Sequence, residues 1–416
     1  MGSRLLTAIA VGVLLSPSAA PGQDTSAGEP PVTFSMRTSL KASALVFRAP
    51  DAPDLFPERT GAESMWRFRV EPELRAGTWA VITVAYEQRL RNSSGSGGLA
   101  AAGILPARTA APFRIRPLDW NLTQSASASW RHEIDRASAR LHAGRADLTI
   151  GRQAIGWGRG VMFGAVDLFS PFSPLEADRE WRRGVDAIRA DIKLSDRSSL
   201  DLVGAFGPTW DESAVAARAR GYAGAIDIEV MAGRRARDAF GGVTTSAAVG
   251  DAELHGELAA FRVDDDEPGA GARVVWKAVA GGSYRLPIGK GILFYAEYHY
   301  SGFGASRPEG MLPLLAAPGF MARYARGDTQ ILSRHAVALI ASYEHSPEFV
   351  FSGQWVHNPG DASGVVAPGM TYTLSDQLSL LGTAYLPYGR APRGTELRSE
   401  YGAASLSGLL QLRLYL

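Results

Sequence analysis

The chain has 416 residues, with 43 basic against 42 acidic side chains and no cysteine. The near-balance of charge gives nucleic acid no hold as a partner, and the missing thiols exclude disulfides, thiolate metal sites and a cysteine nucleophile. Lysine occurs only at 41, 193, 277 and 290, so arginine supplies nearly all the positive charge. That suits bidentate binding of carboxylate, phosphate or sulfate, and it equally reflects a genome rich in Arg, Ala and Gly codons.

The first residues read as a targeting segment rather than structure. Arg4 gives the positive start, Leu5 to Leu15 an apolar run, and Ser16 to Ala20 the small residues that a signal peptidase accepts. Pro21 hinders a cut directly after Ala20, so cleavage is expected between about residues 18 and 23. Residues 1–23 are therefore expected to be a signal peptide with its cleavage region, 24–31 a polar tail, and 32–416 the folded domain. No later run is apolar for long enough to make a transmembrane helix.

After the tail, a period of two begins. Trp66, Phe68, Val70 and Leu74 share one face of a strand, and Arg67, Arg69, Glu71, Glu73 and Arg75 share the other. The pattern recurs where Ile82 and Tyr86 oppose Glu87 and Arg89, Val215 and Ala219 oppose Arg218 and Arg220, and Leu254 and Leu258 oppose Glu253, His255 and Glu257. It recurs again where Trp276 opposes Arg273 and Lys277, and where Phe294 and Tyr298 oppose Glu297 and His299. With no helical periodicity between such segments, one all-β domain is expected. In a membrane barrel the apolar face meets lipid and the charged face lines water.

Connection lengths sort into two kinds. Short turns are expected at 76–78, 142–145, 194–198, 223–224, 249–251, 287–290, 345–348 and 375–377. Long connections alternate with them, at about 48–62, 92–117, 156–181, 208–213, 264–270, 304–333, 358–364 and 389–398, with one tight exception near Gly233 to Arg235. Such alternation predicts a closed antiparallel transmembrane β-barrel of roughly 18 strands, 16 being the alternative. Between Leu118 and Ala143 one long strand is expected, with a β-bulge where its parity slips between Ile134 and Ala137. Trp66, Trp79, Trp276, Tyr298, Tyr300, Trp355 and Tyr401 are expected at the two membrane interfaces.

In the last segment Leu406, Leu410, Leu412, Leu414 and Leu416 lie on one face, with Ser407, Gln411, Arg413 and Tyr415 on the other. It resembles the C-terminal strand of Gram-negative outer-membrane proteins, which implies recognition by the outer-membrane assembly machinery and closure against the first strand. That family usually ends in Phe or Trp, whereas here Leu416 follows Tyr415.

One stretch departs from the strand pattern. Between the strand-like runs at 148–150 and 188–192, a segment rich in Gly, Pro and aromatics carries Arg152, Arg159, Asp167, Asp178, Arg179, Glu180, Arg182 and Arg183. Residues 152–181 are expected either to fold inward as a constriction, anchored by Trp157, Phe163, Phe169 and Phe172, or to form an outer lid. Arg152 has the parity of Leu148 and Ile150, so a regular strand would aim it at lipid, and the strand should end, bulge or clear the bilayer by Gly151. Expected pore residues are Arg152, Arg159, Asp167, Asp178, Arg179, Arg182 and Arg183. The expected lumen lining is Arg67, Arg69, Glu71, Glu73, Arg89, Arg189, Asp191, Arg218, Arg220, Glu253, His255, Glu257, Arg273 and Lys277. Rings of charge of this kind set ion preference, and cross-strand pairing is the plainer role for each residue.

GRQAIGWG, VDLFSPFSP and WRRGVDAIRADI together resemble the central region of Gram-negative outer-membrane porin-type proteins, including alginate-export and phosphate-selective porin relatives. The resemblance implies a strand leading into a pore loop, and an anion- or polysaccharide-facing role for Arg152, Arg159 and Arg183. The seven histidines are dispersed, and neither HExxH nor Gly-x-Ser-x-Gly occurs. No catalytic residue, metal site or cofactor is expected, although Asp264 to Glu267 has the acidity to attract Ca²⁺ at an outer loop. The expectation is a channel in the cell outer membrane, its partners the lipid bilayer and small polar or anionic solutes, with a homo-oligomer left open. The alternatives are an export barrel for an anionic exopolysaccharide and, third, an outer-membrane enzyme.

Overall fold

Alternating residues that need hydrocarbon on one side and water on the other can satisfy both only by closing the sheet on itself. The computed structural model describes residues 32–94, 103–105, 111–263 and 274–416. The expected signal peptide, the polar tail, Arg273 and the acidic run Asp264 to Glu267 lie outside the described residues. The first strands are β1 (Val32–Arg48), β2 (Thr60–Ala76), β3 (Ala80–Ser94), β4 (Asp119–Gln124), β5 (Ala128–Ala143) and β6 (Ala146–Gln153). They are followed by β7 (Val185–Ser195), β8 (Ser198–Ala205), β9 (Ala214–Ala223), β10 (Ile226–Arg235), β11 (Asp238–Val249), β12 (Ala252–Arg262) and β13 (Val274–Leu286). The last are β14 (Ile292–Ser301), β15 (His335–Glu344), β16 (Phe349–Asn358), β17 (Ser363–Ser375), β18 (Leu378–Tyr388) and β19 (Leu406–Tyr415).

All pairings are antiparallel between neighbours, and β1 pairs with both β2 and β19, so the sheet is closed. Eighteen strands make the wall. The short β4 is an addition to it, pairing with the outer half of β5 beyond the residues that β5 shares with β6. The expected single strand from Leu118 to Ala143 is therefore a hairpin, turned at Ser125, whose Oγ accepts the Ala128 N–H at 3.0 Å. The bulge is where parity placed it: Ala85 faces Arg136 and Tyr86 faces Ile134, which leaves Asp135 unpaired.

The two faces differ as the period of two demands. Trp66 is 48% exposed, whereas Arg67 and Arg69 on the other face are 3% and 2% exposed. An apolar surface of this extent is unfavourable in water and at home against acyl chains, which sets the barrel in the outer membrane. Trp79 sits at the short-turn end and Trp276 near the opposite end, both exposed as interface residues should be. Tyr401, expected in the same girdle, is instead buried in the loop layer, at 7% exposure.

Short turns close the periplasmic end by the outer-membrane rule. Gly144 and Gly224 there have φ of +59° and +64°, and an added Cβ would meet nothing, so torsion alone requires glycine. At the other end the tight turn comes at 236–237, later than the expected Gly233 to Arg235. Gly233 lies within β10, because the backbone of β9 passes too close for a side chain: a Cβ would stand 2.2 Å from the Val215 carbonyl oxygen.

The outer connections pack on one another. Ala49, Ala52 and Phe56 of the first connection bury with Leu55 and Ala403. Met311, Ala305 and Leu397 form a second small cluster that shares Leu55 and Ala403. Helices α1 (Met311–Ala316) and α2 (Pro318–Arg326) lie in the 302–334 connection, where no helix was expected. Their signals are local, with Pro318 at the first turn of α2 and Gly327 closing it at φ +80°. Arg323 of α2 bonds Asp238 at 3.1 Å and ties this layer to the wall.

Candidate functional site

The segment between β6 and β7, residues 154–184, packs against the inner face of the wall. Ile155, Trp157, Phe163, Val166 and Phe169 are buried with Val203, Met231, Val275 and Val279 of the wall in one continuous core. Trp157 donates its Nε1–H to Asp201 at 3.1 Å and meets Phe169 edge to face at 5.2 Å between centroids. Phe163 stacks on His299 at 4.9 Å. Phe172 is only half-buried and lies under the Arg182 guanidinium, 5.1 Å away.

The tip is fixed by an arrangement of backbone donors. All eight successive N–H groups from Arg159 to Val166 donate to side chains from outside the segment. Glu257 of β12 accepts those of Arg159, Gly160, Ala165 and Val166, while Glu297 of β14 accepts those of Val161, Met162 and Phe163. Gln330, from the outer 302–334 connection, accepts from Gly164 at 2.8 Å and donates to the Phe172 carbonyl at 2.8 Å. A carboxylate has about four lone-pair sites, so Glu257 is filled by this loop alone. Gly160 permits the turn, since a Cβ would lie 1.9 Å from the Phe163 carbonyl oxygen.

Charged residues hold the flanks. Arg159 pairs with Asp227, and with Glu229 at 3.3 Å. Arg182 pairs with Asp167 and bonds the Ser170 carbonyl at 2.7 Å. Burial drives Asp167 above the ordinary carboxylate range and outweighs the Arg182 charge. Arg179 spans the loop to the carbonyls of Val161, Ser173 and Pro174, with burial lowering its pKa. Asp178 meets Lys41 at 2.8 Å and Arg67 at 3.3 Å; burial pushes it up, but those two cations prevail and hold it low. Glu180 meets Lys41 at 2.6 Å, and the Lys41 ammonium stands 3.8 Å over the Trp181 ring. Burial also lowers Arg183, with Arg89 acting in the same sense.

Arg152 departs from the expectation. β6 neither ends nor bulges at Gly151, whose φ is +109°, but continues to Gln153. Arg152 is 2% exposed, paired with Asp186 at 2.6 Å and bonded to the carbonyls of Arg116, Pro117 and Ile134. The segment leading into β4 thus covers an outward arginine that would otherwise meet lipid, so Arg152 works as a staple between elements.

Along the wall most expected lining residues are brought together in pairs. Arg67 reaches Glu87 at 2.8 Å, while Arg69 reaches Glu71 at 3.0 Å and Asp135 at 2.9 Å. Glu73 pairs with Arg75 at 2.8 Å, and Arg89 with Glu87. Arg189 and Arg218 share Asp201 at 2.9 and 3.0 Å, with Asp191 3.6 Å from Arg189, and Arg220 binds Asp227. His255 bridges Glu253 at 3.1 Å and Glu297 at 3.3 Å. Lys277 is 2% exposed under the loop.

Three contributors escaped the sequence reading. Arg114, in a stretch with no period, bonds Asp135 at 3.1 Å and the Gly184 carbonyl at 2.9 Å. Gln330 had no signal at all. Arg136 was legible only as the residue next to a parity slip.

Two chambers adjoin the loop. One, of about 350 Å³, lies in the short-turn half and is lined by Arg75, Arg136, Arg140 and Arg189 against Glu73, Asp147 and Asp191. The other, of about 450 Å³, is lined largely by the loop, with Arg136, Arg182, Asp167, Glu180, Glu257 and Gln330. Such volumes suit small organic molecules, and the first carries four guanidiniums against three carboxylates.

No family model matches the chain, and no curated protein matches it either. Solved structures do. The chain is similar to OccK9 (OpdG) of Pseudomonas aeruginosa, at 10% identity and TM-score 0.55, over 92% of this chain and 98% of that one. It is also similar to OccAB1 of Acinetobacter baumannii, at 9% identity and TM-score 0.54, over 92% and 96% of the two chains. OccAB4 of the same species follows at 10% identity and TM-score 0.52, over 92% and 98%. These neighbours are Gram-negative outer-membrane porins, and at such identity the likeness establishes a shared fold.

Proposed function

We propose that the chain is a passive outer-membrane channel for small polar solutes that favours anions, exported by a signal peptide within residues 1–23. The observation that carries this reading is the inward loop, pinned at eight successive amides, beside a chamber in which arginines outnumber carboxylates. A segment fixed so thoroughly narrows a lumen without needing to move. Arg159, Arg179 and Arg182 act in this reading by shaping the loop, since carboxylates or carbonyls occupy them. The solute then meets Arg75, Arg140 and Arg189 in the chamber below. Chambers of a few hundred cubic ångströms suit single small molecules rather than a polysaccharide chain, which disfavours the export alternative.

Reconstitution into planar bilayers under a potassium chloride gradient tests the proposal. Steady conductance with a reversal potential displaced toward chloride is expected. Absence of steps in the folded protein would remove the channel reading, and conductance appearing only after excision of residues 159–166 would favour regulated export.

A further inference from the structure

The two chambers have only two lining residues in common, Arg136 and Ala154. We infer that this pair forms the neck between them and that Arg136 is the residue that sets charge selectivity. The inference rests on the channel reading and adds where discrimination occurs.

The bulge in β5 is what delivers Arg136 to this position. Before it, Arg131 and Glu133 face inward; after it, Ser138 and Arg140 do, so the frame shifts by one residue. Within the shift, Asp135 and Arg136 both turn to the lumen, where Asp135 meets Arg69 and Arg136 lines both chambers. Asp135 is an incomplete counter-charge for Arg136. It already lies 2.9 Å from Arg69 and 3.1 Å from Arg114, against 3.5 Å for the Arg136 Nε. Among the described residues the other hydrogen bond of Arg136 runs from Nη2 to the Arg182 carbonyl, which positions the guanidinium without neutralising it, while the Glu71 carboxylate, already held by Arg69, acts on it only through its field.

The arginines expected to filter solute differ in this respect. Arg152 and Arg159 sit on carboxylates, Arg182 sits on Asp167, and Arg179, folded back onto loop carbonyls, lines neither chamber. A partly compensated cation at a junction of two small chambers acts on every solute that crosses, and in a partly desolvated neck its field is screened less than at the mouth. Ala154, opposite in character, keeps the junction passable because its side chain is a single methyl group.

Four variants test the neck in single-channel recordings under a potassium chloride gradient, each first checked for the folded barrel by circular dichroism in detergent. Arg136→Gln is expected to lower the chloride-to-potassium permeability ratio roughly threefold, while Arg136→Lys keeps it. Arg140→Gln, in the same chamber but away from the junction, is expected to change the ratio less. Ala154→Phe should cut unitary conductance by roughly half or more by filling the neck. Unchanged selectivity in Arg136→Gln, or unchanged conductance in Ala154→Phe, overturns the neck while the channel stands. Should Arg136→Gln fail to fold, a wild-type ratio and conductance in Ala154→Phe overturn it alone. A wild-type barrel without conductance overturns the channel reading, and the neck with it.

Discussion

Among single residues, Glu257 has the most exacting task, because its two oxygens receive four loop amides. In Glu257→Gln one acceptor becomes a donor that faces other donors, at a cost of about 1–3 kcal/mol. The wall should still close, since Glu257 contributes to the ladders through its backbone. The expected outcome is a folded channel with larger and noisier unitary conductance, more so when Glu297→Gln is added. Gly160→Ala gives an independent check: its Cβ would collide with the Phe163 carbonyl, so the tip should loosen while both carboxylates remain. Quiet, wild-type conductance in both variants would mean that the tip is not what narrows the lumen. Alternation alone placed Glu257 on the lumen side. Its engagement with amides more than ninety positions away was not legible, because no local pattern encodes a contact at that separation.

At the level of elements, the outer connections converge on Glu400, between β18 and β19. Its carboxylate accepts the Leu332 N–H at 2.8 Å and the Asn358 amide at 3.4 Å, while its own N–H donates to Asp361 at 2.7 Å. Burial pushes the Glu400 carboxyl up to about 7, and the neighbouring Asp361 charge acts in the same direction. A carboxyl raised in the packed state and ordinary when released favours packing in its neutral form. Packing should therefore be firmest below the ordinary carboxylate range, weaken as pH rises from about 4.5, and reach its weakest above about 7. Hydrogen-exchange protection of residues 302–334 and 389–405, after correction for the base-catalysed rise in intrinsic exchange, should be lower at pH 8 than at pH 5, and Glu400→Gln should flatten the difference. An identical pH response in that variant would assign the effect to other groups. Turn positions could be read beforehand because Gly, Asp and Ser mark them locally, whereas this layer consists of distant connections packing together. The α2 helix had its Pro and Gly punctuation in view, but its nine residues lie inside a stretch read only as a long connection.

For the whole molecule, strand number followed from the alternation of short and long connections, and the inside-outside sense from periodicity, because membrane and lumen impose opposite demands on alternate residues. The reading was incomplete on the β7 to β13 side. There Val274, Val275, Trp276 and Val279 are apolar on both faces, Trp276 being exposed outward and Val275 and Val279 buried under the loop. Apolar residues on both faces signal burial on both sides, and that was the available sign that something apolar occupies the lumen. The outward face supports a last prediction. Leu258 lies mid-strand in β12 and is 43% exposed, flanked inside by Glu257 and the buried Ala259. If that exposed surface met water, Leu258→Arg would change stability by no more than about 0.5 kcal/mol. Facing the middle of a bilayer, the same change should cost about 2–4 kcal/mol. Equilibrium unfolding in phospholipid vesicles separates the two cases. The cost should shrink for Val274→Arg, placed at the outer end of β13 where headgroups begin. A large loss at 258 with a small one at 274 is the depth profile of a membrane wall, and equal, small losses at both would mean that this apolar band never meets lipid.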